Sequence, residues 1–218
     1  MLPGIGGTKV RHGRLVVFEG VDGVGKSALA AQFRSWLMEG GFEAELLSFP
    51  GKEEGTLGKL VYDLHSNPDQ FHVTALTPAS LQALHIAAHL DAIEERIIPS
   101  VQSGRIVVLD RFWWSTYVYG IVSGVDREVL QRMIATEKAA WGALKPTILF
   151  LIDRNQPLRP EPSEIWTKCR KVYRELLPIE RTEHPCESIF NEGSIEETQQ
   201  QLVQSWNLLN ISSERSRA

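Results

Sequence analysis

The chain has 218 residues, 43% of them hydrophobic, which is enough for one substantial core and a size at which α/β domains commonly stay undivided. Its formal net charge of −4, with 23 basic against 27 acidic side chains, provides no positive field for a polynucleotide backbone, so nucleic acid is not expected as a partner. No apolar run reaches the roughly 18 residues of a membrane span, residues 1–13 lack the apolar core of a signal peptide, and the two cysteines, Cys169 and Cys186, are too few for a disulfide framework and read as ordinary thiols; a cytoplasmic protein is expected.

Taken in chain order, residues 1–13 read as a flexible tail, followed by a single domain over residues 14–211 and a second tail at 212–218. The β-branched and apolar runs at 15–18, 44–49, 106–109 and 147–152 are predicted strands, and amphipathic stretches at 27–38, 78–101, 127–141, 163–177 and 195–209 are predicted helices. Thr77 followed by Pro78 suits a cap and first helical position. Residues 154–162 contain three prolines and should form an extended connection. Strands alternating with helices, with strands apolar throughout, predict an α/β fold built on a parallel sheet buried on both faces.

Directly after the first strand stands Gly20-Val21-Asp22-Gly23-Val24-Gly25-Lys26-Ser27, which satisfies G-x-x-x-x-G-K-[ST]. Its glycines let backbone amides curl around a phosphate while the following helix, continuing through Ala28, presents its positive end. Lys26 would reach the outer phosphates of ATP or GTP, and Ser27 would ligate magnesium. At the end of the third strand, Asp110 is placed to hold a magnesium-bound water, and Arg111 offers a donor fork matched to phosphate.

These segments resemble the thymidylate kinase family. Phe18 to Ser27 is similar to that family's phosphate loop; Asp110-Arg111-Phe112 with Ser115, Thr116 and Tyr119 is similar to its Asp-Arg-Tyr/His segment. Ser48-Phe49-Pro50 with Thr56-Leu57-Gly58 looks like its phosphate-contacting loop, and Phe190 to Glu197 like its final strand, loop and helix. The resemblance implies a P-loop kinase fold with five parallel strands and helices on both faces, a homodimer packed through the helix carrying His85 and His89, and transfer of a phosphoryl group from Mg-ATP to dTMP or a related nucleoside monophosphate. It assigns Asp22 to the acceptor sugar, Arg111 to its phosphate, Lys26 to the transferring group, and Phe49, Ser115 and Tyr119 to the acceptor pocket.

Three departures from the family pattern bear on specificity. His85 and His89 stand where the family carries a stacking Phe and a base-reading Arg, so base contacts are expected to differ. Their i, i+4 spacing is also that of a two-histidine metal site or of packing histidines. Gly51-Lys52 replaces an arginine after Phe49-Pro50, leaving Lys52 to keep the charge, and Gly120 replaces a larger residue, implying a wider pocket. The lid at 154–162 is short, with Arg154 and Arg159 as its sources of positive charge for transfer. Other acceptors, or a nucleotide-binding protein without catalysis, are the competing expectations. Of the adjacent Trp113 and Trp114, one is expected in the core and one at the cleft.

Overall fold

The computed structural model describes residues 13–215. Five strands, β1 (Arg14–Glu19), β2 (Ala44–Ser48), β3 (Ile106–Asp110), β4 (Ile148–Asp153) and β5 (Cys186–Phe190), form one parallel sheet in the order β2-β3-β1-β4-β5. Every residue of β3 and β4 is buried, as is β1 from Leu15 onward. Burial of consecutive residues, which point to opposite faces, requires helices on both sides of the sheet.

The helices are α1 (Lys26–Glu39), α2 (Leu57–Ser66), α3 (Pro78–Ala92), α4 (Ile98–Gln102), α5 (Trp113–Val122), α6 (Arg127–Trp141), α7 (Ser163–Glu180) and α8 (Ile195–Arg215). Leu29, Phe33 and Leu37 recur at helical spacing on α1 and are fully buried. The ring of Phe33 packs 5.8 Å from Phe150 of β4 and 5.9 Å from Trp206 of α8, joining two helices to the sheet.

Predicted and observed elements agree over most of their length and differ in several places. Helix α2 begins in the segment read as a phosphate-contacting loop, and α5 lies in a segment to which the sequence reading assigned no element. The helix expected over 78–101 forms as α3 and α4 joined by a π turn at Ile93–Ile97. Pro99 explains that turn: it lacks an N–H, and its ring would strike the carbonyl four residues back. α8 extends beyond the predicted 209 to Arg215. The expected tail at 1–13 lies almost wholly outside the described residues, and the one at 212–218 does so beyond Arg215.

Strand order reverses beside β1, since the chain runs from β1 out to β2, returns to β3 and then crosses to β4. Ligand crevices of open α/β sheets lie at such switch points, at the carboxyl ends of the strands. Glu19, Asp110 and Asp153 all end strands there.

Candidate active site

The loop between β1 and α1 opens a cradle. Gly25 precedes α1 at φ +89°, and a Cβ there would lie 2.6 Å from Asn191 Nδ2 and 3.2 Å from Leu158 Cδ1, so only glycine permits this approach. No side chain caps α1 and no acidic residue sits in its first turn, leaving its amides and positive end to the loop. Asn191 Nδ2 donates to Val24 O (2.8 Å) from the β5–α8 loop. On the lid side Leu158 N donates to Gly23 O (2.8 Å), and the indole Nε1 of Trp166 donates to Asp22 O (2.8 Å).

Charged side chains converge at the loop's mouth. Asp22 accepts from Arg111 Nη2 (2.5 Å), Tyr119 OH (2.7 Å) and Lys26 Nζ (3.3 Å). Burial acts against its ionisation, but Arg111 and then Lys26 outweigh it and hold the carboxyl well below the usual carboxylate range. Lys26 is itself buried; burial and the neighbouring Arg111 press its pKa down. Arg111 is held above its usual range because Asp22 overcomes its desolvation. Its backbone lies at φ +82°, a conformation costly for a side chain with Cβ, and Ser115 Oγ accepts from its Nη1 (2.9 Å).

Ser27 Oγ donates to Asp110 Oδ2 (2.5 Å), while Asp110 Oδ1 is buried with no partner. An orphaned carboxylate oxygen beside a hydroxyl is a donor set that fits magnesium, a hard cation that takes oxygen ligands and completes its shell with water and phosphate. Among the described residues no group of three or more His, Cys, Asp or Glu could cage a metal, so the protein alone supplies only part of that shell.

The phosphate loop, Asp110, Arg111, Ser115 and Tyr119 thus come together as the sequence implied. The other expected site residues are placed differently. His89 is 3% exposed, its ring stacked on Phe49 (3.8 Å between centroids) and its Nδ1 bonded to Glu137 (2.8 Å), so it serves packing and leaves little surface for a ligand. His85 shares a hydrogen bond with His65 of α2 (3.3 Å), and burial, reinforced by His89, His65 and Arg111, pushes its imidazole down to about 3. Lys52 lies on the surface with its ammonium 5.2 Å from the Tyr62 ring. The wider pocket expected at Gly120 is absent: a Cβ there would meet Leu130 methyls at 2.8 Å and Gln82 Cγ at 3.4 Å. Trp113 and Trp114 are both buried, rather than one bordering the cleft, and Lys138 covers Trp113 at 3.9 Å.

The lid divides its arginines. Arg154 Nη1 donates to Asn191 O (2.5 Å), tying the end of β4 to the β5–α8 loop, whose Asn191 also bonds the phosphate loop at Val24 O. Arg159, 67% exposed, pairs with Glu161 (2.7 Å) and reaches 3.9 Å from Asp22, so it borders the charged cluster. Asp153, in turn, is gripped by Arg170 (2.6 Å) and Arg174 (2.5 Å) of α7. Cys169 and Cys186 are buried thiols whose pKa burial pushes up to about 11 and about 12, in keeping with an inert role.

The thymidylate kinase family model matches residues 18–186. The chain belongs to the thymidylate kinase family. A thymidylate kinase of Thermoanaerobacter sp. (strain X514) is 31% identical over 184 residues, 84% of this chain and 82% of its own length. That of Chlorobium luteolum is 32% identical over 166 residues, covering 76% and 70%. The crystal structure of thymidylate kinase from Ehrlichia chaffeensis superposes with a TM-score of 0.72 over 89% of this chain and 98% of that one; at 22% identity this likeness speaks for the fold alone. Membership makes this protein a phosphotransferase of the nucleoside monophosphate kinase type. No described helix of the kinase is long and apolar enough to cross a membrane.

Sequence reasoning missed two contributors to this kinase's site. Glu19, fully buried at the end of β1, and Trp166 of α7 both bond the loops that carry Asp22 and Arg111. For Glu19 a signal existed, since a carboxylate directly after the apolar run 15–18 must find donors; for Trp166 the sequence held none.

Proposed function

We propose that the protein transfers the terminal phosphoryl group of Mg-ATP to dTMP or a closely related deoxynucleoside monophosphate. The observation that carries this reading is the convergence of Lys26, Arg111 and Tyr119 on Asp22 beside the uncapped start of α1. Phosphoryl transfer asks for alignment of two anionic groups and neutralisation of charge spreading over the transferring oxygens, with little covalent chemistry from the protein.

In this reading the backbone amides of the phosphate loop and the ammonium of Lys26 hold the donor's outer phosphates. Arg111, released from Asp22 by an incoming acceptor phosphate, holds that phosphate with its donor fork. Asp22 and Tyr119 then bond the acceptor's sugar, and Arg159 contributes positive charge from the lid. Ser27 and Asp110 would hold magnesium, which would supply neutralisation of the negative charge on the donor's phosphates. Phe49, buried and stacked on His89, would support the acceptor pocket from the β2 side without a free face of its own. The reading extends to a cytoplasmic homodimer packed through α3, an expectation carried by the family alone and tested by sedimentation.

A second reading keeps the chemistry and changes the acceptor base. It is favoured by the burial of His89 against Glu137 and Phe49, which leaves no fixed donor fork at the position where the family reads its base. Both readings are tested by incubating the protein with Mg-ATP and TMP, dUMP, dCMP, CMP, AMP and GMP separately and measuring new diphosphate, with Lys26→Ala as control. Conversion of TMP above all others supports the first reading and another preferred acceptor the second. Failure to convert any acceptor, with ATP still bound, overturns both.

A further inference from the structure

Glu19 is 0% exposed, yet it carries a carboxylate into the centre of the molecule. Its Oε1 accepts from the backbone N–H of Phe112 (2.7 Å) and Ser115 (2.9 Å). Its Oε2 accepts from Ser115 Oγ (2.9 Å), Tyr173 OH (3.0 Å) and Gly20 N (3.2 Å). Phe112, which occupies the cap position of α5, offers no side-chain oxygen of its own. The carboxylate therefore caps α5 from a different strand, at the point where the backbone has just left the left-handed conformation of Arg111.

We propose that Glu19 is a positioning residue for phosphoryl transfer: it fixes the 110–115 turn against the start of the phosphate loop, and so sets Arg111 opposite Lys26. The proposal rests on the functional reading above. A hydrogen-bonded path connects the groups, from Glu19 through Ser115 Oγ to Arg111 and on to Asp22. Tyr173 brings α7 into the same junction, and that helix also carries Trp166, the donor to Asp22 O. Three of the five donors are backbone N–H groups divided between both carboxylate oxygens. A carboxamide cannot replace the group, because either orientation sets an NH2 against at least one N–H.

The test is Glu19→Gln, made in the wild-type kinase and in an Arg111→Lys background, with kcat and KM for both substrates and the Kd of a non-hydrolysable ATP analogue. In the wild-type background kcat should fall by about 30-fold or more while the Kd shifts by less than about threefold, since the loss is confined to alignment of the acceptor side. With Lys at position 111 the same change should alter kcat by less than about threefold, because the group it positions is already gone. An unchanged kcat, or an equal penalty in both backgrounds, overturns the proposal. If Glu19→Gln does not fold, Tyr173→Phe removes one donor and leaves the α5 cap; a several-fold loss of kcat that vanishes with Lys at 111 is then expected, and an unchanged kcat overturns the proposal. A wild type that transfers no phosphate to any acceptor overturns the functional reading along with it, whereas an active wild type with an unaffected variant overturns this proposal alone.

Discussion

Asp22 does for Lys26 and Arg111 what phosphates would do in a complex. Asp22→Asn keeps one acceptor oxygen and the shape of the side chain but removes the charge between two cations. A charge-assisted bond is worth about 1.5–3 kcal/mol, and the neutral amide keeps part of it, so about 1 kcal/mol should be lost for each cation, or ~2 kcal/mol in total. The side chain is 34% exposed, and this solvent access is a reason to stay at the low end. For a chain of this length each kcal/mol lowers Tm by about 2–4 °C, giving a fall of about 4–8 °C without nucleotide. With ATP and no acceptor present, Lys26 meets phosphate, so roughly half of the loss should be recovered. By linkage, ATP should then bind the variant about fivefold tighter even as turnover collapses. Thermal unfolding with and without ATP, together with calorimetric titration, measures all three quantities. An equal fall in Tm in both conditions, or weaker ATP binding by the variant, would refute the compensation argument.

Trp166→Phe deletes the indole donor to Asp22 O and leaves that carbonyl unpaired, so about 1 kcal/mol of stability should be lost, read as ~2–4 °C in Tm, with a raised KM for ATP; an unchanged KM would detach α7 from the phosphate loop. Gly120→Ala should gain about 1 kcal/mol in helix propensity but lose about 1–3 kcal/mol by overpacking against Leu130 and Gln82, so urea unfolding should show net destabilisation; a stabilised variant would mean open space at this position. His85 titrates near 6.5 when unfolded but is pushed down to about 3 in the fold, so its contribution is intact above pH 6.5 and lost as pH falls toward 3. Between pH 7 and 5 the wild type should therefore lose up to about 2 kcal/mol more than His85→Asn, and parallel pH profiles would argue that His85 is solvated.

The phosphate loop was legible because its demands are local: positive φ, close backbone approach and a helix start are written in consecutive residues. Strands β1, β3 and β4 were legible because burial on both faces leaves an unbroken apolar run. The first turn of α3 was equally readable, and Thr77 Oγ1 accepts from Ser80 N (3.2 Å) as its sequence implied. Helix α5 was not, because Trp113 to Val122 is rich in aromatic and β-branched residues of low helix propensity, and its cap comes from Glu19 in a remote strand. Helix α2 is short and sits where a loop was expected, although Thr56 Oγ1 caps it by accepting from Lys59 N (3.1 Å). The placement of His89 depended on Glu137, 48 residues away and itself fully buried. Nothing in the spacing of His85 and His89 could tell a histidine facing a ligand from one facing that carboxylate.

The strand order also has a consequence during synthesis. β1 leaves the ribosome first but lies in the middle of the sheet, where its neighbours are β3, beginning at Ile106, and β4, beginning at Ile148. β2 cannot shield it, because among the described residues β2 pairs with β3 alone. β1 thus waits with both edges unpaired until β3 is made, with α1 as the early helix that packs against it. Such late, non-local pairing slows folding and exposes nascent chains to aggregation. A ribosome stalled before β3 would display an unpartnered β1, and the chaperones that bind extended apolar segments would find it there.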